Sequence, residues 1–178
     1  HILSVIPYSM LGAFQFSSSF RRRHRVWHRV AGRVLGVCGL VVALTGLWMS
    51  HFYPWPKGDG EALYVLRLVF GTAMFVSMVL GLYAVGRRDF KGHGDWMIRA
   101  YAIGMGAGTQ VLTHLPYFVF VGTPDESTRA VLMAAGWVVN VVVAEWVIRK
   151  GSTRKPKARA STVLLRQAEN VQHPARAM

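Results

Sequence analysis

The stretch Val26–His51, VWHRVAGRVLGVCGLVVALTGLWMSH, decides the fold. After Arg33 no acidic or basic side chain appears until Lys57. A helix needs about 20 mostly apolar residues to cross the hydrocarbon of a bilayer. This stretch meets that need, and four others read the same way. The expected spans are helix A over residues 1–20, B over 26–51, C over 62–85, D over 95–121 and E over 129–148. Helix A is the weakest of them, because it holds Pro7, Gln15 and several serines. Pro and Gly fill the short connections, at Pro54, Pro56, Gly58 and Gly60 and again at Gly122 and Pro124, and stop the helices where a loop is needed. The expected fold is therefore all-α: a polytopic transmembrane helical bundle of five spans. A membrane domain covers residues 1–150 and a basic tail residues 151–178.

Composition agrees. The chain has 178 residues, 52% hydrophobic and only 16% charged, against about 25% charged in an ordinary soluble domain. Its 21 Lys and Arg against 8 Asp and Glu leave a net charge of +13. In a soluble protein that excess would suggest nucleic acid. Here the basic residues cluster between apolar stretches instead, so a lipid bilayer and no nucleic acid is the expected partner. Cys38 has no second cysteine for a disulfide or a CxxC site and reads as a small buried residue. The chain opens at His1 inside an expected helix, so a preceding segment is expected, and no signal peptide is seen.

Charge also sets an orientation. The A–B loop (Arg21, Arg22, Arg23, Arg25), the C–D loop (Arg87, Arg88, Lys91) and the tail (Arg154, Lys155, Lys157, Arg159) hold most of the basic residues. The B–C and D–E loops carry Asp59, Glu61, Asp125 and Glu126. The positive-inside rule then puts the C-terminus in the cytoplasm and the acidic loops outside. Tyr53, Trp55 and Tyr64 fall at the outer interface, and Trp27, Trp96 and Trp146 at the inner one. Gly32 with Gly36, and Gly104 with Gly108, are spaced for close helix approach, so B and D are expected to touch each other or a common neighbour. The tail is expected to be solvated at anionic head groups, with a short surface helix over residues 161–171.

Ionisable groups inside a membrane are costly, and each is a candidate for function. His28 and His93 start helices B and D at the cytoplasmic side; His1, His51 and His114 lie at outer ends. Two histidines at one depth on different helices are the pattern of axial haem ligands, so His28 and His93 are the candidate iron ligands. His114 is the candidate outer ligand, with His1 or His51 as its partner. His93 and His114 are separated by about 31 Å along an ideal helix. Arg29, Arg33 and Arg99 follow the inner histidines and suit haem propionates or anionic lipid. Glu145, on helix E, is expected to neutralise Arg33 or Arg99, or to take protons from a quinol or solute. Three readings of this set stand: a haem b or related macrocycle, a quinone without a metal, and a purely structural role. Zinc is not expected, since neither an HExxH motif nor a cysteine cluster occurs.

The features, in order, resemble the bacterial membrane-protein family known as domain of unknown function 2306. The resemblance covers Leu3 to Trp146. It is carried by His1 with Gly12-Ala13-Phe14-Gln15-Phe16, by Trp27-His28-Arg29 with Gly32-Arg33, and by Thr45-Gly46-Leu47. Arg88-Asp89-Phe90 with His93, Trp96 to Ala102, Leu115-Pro116, Trp137, Asn140 and Ala144-Glu145-Trp146 complete it. It implies a helical bundle in a bacterial inner membrane, a further helix before His1, and His1, His28 and His93 as the family histidines. Where the family shows an Arg near the end of D, this chain has Leu112-Thr113-His114. The helical plan with paired histidines looks like the di-haem cytochromes b of the b561 type, an analogy of fold alone.

The expected function is electron transfer by a haem- or quinone-binding membrane protein, or by a small subunit of a membrane redox complex. The alternative is a cofactor-free accessory subunit packed against a larger membrane complex. A solute transporter is third, since no buried acid–base chain appears near the bilayer midplane.

Overall fold

The structure, a computed structural model, describes residues 1–172, with side chains through Ser152. Its secondary structure among the described residues is helical throughout: α1 (Ile2–Phe16), α2 (Ser18–Arg23), α3 (Arg25–Phe52), α4 (Glu61–Gly86), α5 (Phe90–Gly104), α6 (Gly106–Phe120) and α7 (Glu126–Gln172). The chain divides into a larger unit, His1–Ala144, and a second unit from Glu145 onward. In the second unit Lys150 Nζ lies 4.6 Å from the centre of the Trp146 ring, a cation–π contact. The basic side chains expected for the tail, Arg154 to Arg159, lie outside the described residues, as do residues 173–178.

Local chemistry sets the helix ends. Tyr53 is extended just before Pro54, and α3 stops there. Ser17 and Asp89 cap α2 and α5, each accepting a backbone N–H with its side chain. Asp125 lies at the start of α7, and the Ser127 and Thr128 hydrogen bonds to its carboxylate hold its pKa below the usual range. At the end of α4 the Asp89 N–H donates to Ala84 O and the Arg88 N–H to Val85 O, the two bonds of a Schellman motif. Arg88 occupies the left-handed position of that motif, at φ 62°, where glycine is the usual residue.

Among the described residues, three helices are long and apolar enough to cross a membrane: α3, α4 and the Glu126–Ser152 part of α7. They lie where spans B, C and E were expected. Helix A is the shorter apolar α1, and helix D is divided at Met105 into α5 and α6. That break has a packing cause. A β-carbon at Gly104 would lie 2.9 Å from the Tyr8 ring, and one at Gly106 would overlap the Trp137 ring. The two glycines admit an aromatic ring on each side of Met105.

Tyr8 is the hub of the larger unit. Buried with Val42, Ala43, Met74, Met78, Ala100 and Ile103, it brings α1, α3, α4 and α5 to one centre. A β-carbon at Gly39 would lie 2.7 Å from Tyr8 and from Met78, so α3 meets this ring through glycine as α5 does. Helices B and D thus have a common neighbour: Gly32 faces Gln15 of α1 and Gly36 faces Leu82 of α4, while the tightest approach on B is at Gly39, one turn further on. Tyr101 Oη donates to Ser9 O at 2.6 Å and fastens α5 to α1. Between α6 and α7, side-chain hydrogen bonds add to the packing of Trp137 on Gly106. Thr109 Oγ1 donates to Asn140 Oδ1 (3.0 Å), Gln110 Nε2 to Met133 O (3.2 Å) and Thr113 Oγ1 to Leu132 O (2.8 Å). Side-chain hydrogen bonds of this kind join helices where lipid supplies no hydrophobic drive.

The outward faces are apolar. On α3, Val30, Val34, Val37, Leu44 and Trp48 form an exposed helical stripe, and α4 carries Val65, Val69, Val76 and Val79 likewise. Such continuous apolar surface is what hydrocarbon covers.

An ion triad holds the acidic-loop end. The Asp59 carboxylate, 1% exposed, lies 2.7 Å from Arg67 Nη1 on α4 and 2.7 Å from Arg129 Nε on α7. One carboxylate thus pairs with a cation on each of two helices, leaving the triad one net positive charge, and holds both acidic loops at one end. Removing the shared acid would strand two guanidinium groups, so Asp59→Asn is expected to lower unfolding stability by about 3 kcal/mol. The triple change Asp59→Leu, Arg67→Met, Arg129→Met should recover much of that loss in the same detergent unfolding assay. At the other end, Arg88→Gly should raise stability by about 1 kcal/mol, because it removes the left-handed strain at a non-glycine residue.

Candidate functional site

Polar side chains gather at the two ends of the larger unit. At the basic-loop end, His93 is in the first turn of α5, just past its Asp89 cap, and its Nδ1 lies 2.8 Å from Gly81 O on α4. A carbonyl can only accept, so Nδ1 carries the proton and Nε2 keeps the lone pair. This is the second-shell arrangement that fixes a histidine as a metal ligand. His28, in the first turn of α3, has a buried Nδ1 with no hydrogen-bond partner. His28 and His93 thus lie at the same end of the larger unit, in the first turns of α3 and α5.

The neighbouring residues divide. Gln15 of α1 lies against Gly32, one turn along α3 from His28, and its Nε2 is buried without a partner. Arg29 and Arg33 are exposed on α3. They are rotated by about 100° and 140° from His28 around the helix, so they line its outside and not the histidine pair. The Arg99 guanidinium lies 4.7 Å from the centre of the Trp96 ring. Glu145 opens the second unit.

The outer histidines are spread out. His1 Nδ1 is 2.8 Å from Thr45 Oγ1 on α3, and His51 Nδ1 is 2.9 Å from Tyr64 Oη on α4. Tyr64 in turn stacks on Trp55, giving the aromatic layer expected at this end. His114 belongs to another place. Its Nδ1 is 2.8 Å from Gln110 O within α6, and it lines a cleft of about 420 Å³ between α6 and α7. Among the described residues no hydrogen bond or ring contact joins His114 to His1 or His51. Nor do the described residues contain a group of three or more His, Cys, Asp or Glu able to hold a metal ion. The chemistry available at the basic end is a bis-imidazole donor pair with an adjacent amide.

Sequence reasoning missed three participants. Arg67 is a cation inside a span, and that alone calls for a nearby acid such as Asp59, eight positions earlier. Gln15 was given no role in a site, although an amide inside a span needs a partner. The cleft beside Gln110 and His114 depends on helix packing and left no local pattern.

A family model described as "Predicted membrane protein (DUF2306)" matches residues 1–148. No curated protein and no solved structure matches the chain. A match over so much of the chain, on a bundle of apolar helices, makes the protein a member of the DUF2306 family of membrane proteins.

Proposed function

We propose that this chain is an electron-transfer protein of a bacterial inner membrane that holds a haem b-type macrocycle with His28 and His93. One observation carries the reading: His28, with a buried Nδ1 lacking a partner, begins α3 at the end where His93 begins α5, and the His93 ring is fixed through Nδ1 to Gly81 O. Two neutral imidazoles are a donor set that haem iron accepts, so the residues present fit the group. The iron would supply one-electron chemistry when bound. The protein's part is to fix both rings and keep water away. Arg29 and Arg33, exposed on the outside of α3, suit anionic lipid head groups at the membrane edge. A quinone is the second reading, favoured by the Gln15 Nε2 amide, a buried donor with no acceptor.

In this proposal α1 and the α5–α6 pair complete five crossings, with the Arg-rich loops and the C-terminus in the cytoplasm. The exposed apolar stripes leave room for further subunits of a redox complex.

An absorption spectrum tests the reading. Protein purified after expression with haem available should show a reduced-minus-oxidised α band, lost in His28→Ala and in His93→Ala. A folded, colourless preparation would overturn the haem reading. The topology is tested separately in a Cys38→Ser background. A single cysteine at Trp55 or Asp125 should react with a membrane-impermeant maleimide added outside intact cells, and one at Phe90 should not. The reverse labelling would overturn the orientation.

A further inference from the structure

The cleft between α6 and α7 lies away from the inner histidines and has its own chemistry. Val111, Leu115, Phe118 and Met133 supply apolar walls of the roughly 420 Å³ space, and His114 and Arg129 supply its charged or basic groups. Three of those apolar residues are more than half exposed, Val111 at 62%, Leu115 at 55% and Phe118 at 58%. The cleft therefore opens on the face that hydrocarbon covers, and its occupant enters from the bilayer.

The two polar groups ask for opposite things. His114 Nδ1 donates to Gln110 O, so the tautomer leaves a lone pair on Nε2. That Nε2 is buried and has no partner. It calls for a ligand that brings an O–H. Arg129 has only donors, and its Nε side is ion-paired with Asp59 at 2.7 Å. Its remaining N–H groups call for an oxygen that accepts.

Antiparallel pairing sets the order of depth. Thr113 meets Leu132 O and Gln110 meets Met133 O, so Arg129 lies nearer the acidic-loop end than His114 does, by about one helical turn. Apolar wall continues past His114 to Val111 and Ala107. The ligand thus has a head with an acceptor oxygen outermost and a hydroxyl about one turn deeper, joined to an apolar tail.

We infer that this cleft binds a quinol: a ring with para oxygens, one hydroxyl donating to His114 Nε2 and the other oxygen accepting from Arg129, with the tail along α6. Phe118 gives the ring an aromatic wall. A phospholipid phosphate fits less well. It has acceptors only, and it would leave the Nε2 lone pair unmet unless the imidazole took up a proton within reach of the Arg129 charge. The site does not depend on a haem at His28 and His93.

The probe is decylubiquinol, compared with its oxidised form decylubiquinone, titrated by calorimetry into the full chain in detergent. The quinone lacks the O–H that His114 accepts. The reduced form should bind about tenfold more tightly, and His114→Leu should abolish that preference by weakening the quinol alone. A cleft-filling Val111→Trp should weaken both forms, while His28→Ala should change neither. Equal binding of the two forms to the wild-type protein would overturn the assignment, and that comparison needs no variant. Displacement of the quinol by equimolar phosphatidylglycerol would also overturn it, assigning the cleft to lipid. Loss of the haem spectrum in His28→Ala with the quinol preference intact would separate this site from the inner one.

Discussion

The buried carboxylate of Asp59, shared by Arg67 and Arg129, is the contact on which the arrangement of this bundle depends. A charge in hydrocarbon has no solvent to fall back on, so it must be met from within the protein. Arg67 lies inside an apolar helix and Arg129 in the first turn of another, and a single acid in the loop before α4 meets both. Closing that triad sets the B–C loop against the start of α7 and fixes which ends of the helices lie together. The histidines then sort themselves by end, and the two candidate sites separate.

Glycine does the complementary work in the middle. The helices have little hydrophobic drive to associate when both faces are apolar, so they rely on close contact and hydrogen bonds. Tyr8 fills the space left by Gly39 on one helix and Gly104 on another, and Trp137 that left by Gly106. The same device divides helix D. α5 carries His93 toward one end and α6 carries His114 toward the other.

Much of this was legible in the residues. Long uncharged runs bounded by Arg clusters and Pro-Gly loops marked the helices, because span length and charge placement are properties of the chain alone. His28 and His93 were legible as residues of one end because each begins a helix there. The division of helix D was hidden, since Gly104 and Gly106 read as ordinary small residues until Tyr8 and Trp137 are placed beside them. Arg29 and Arg33 followed His28 in sequence, yet helical rotation sends them to the outside. His114 was read as one member of an outer pair, although its position is set by the α6–α7 contacts of Thr113 and Gln110. Local spacing reports on one helix at a time; a site built from several needs the packing.

The two ends differ in what they offer. The basic end presents two imidazoles, one with its tautomer fixed, and an amide without a partner. The opposite end presents an apolar cleft with one lone pair and one guanidinium. The central claim concerns the first of these: that His28 and His93 bind one iron together. Electron paramagnetic resonance of the oxidised protein tests it most directly. The account predicts a low-spin ferric haem signal that becomes high-spin, or disappears, when either histidine alone is replaced. A low-spin signal that survives the loss of His28 or of His93 would contradict it.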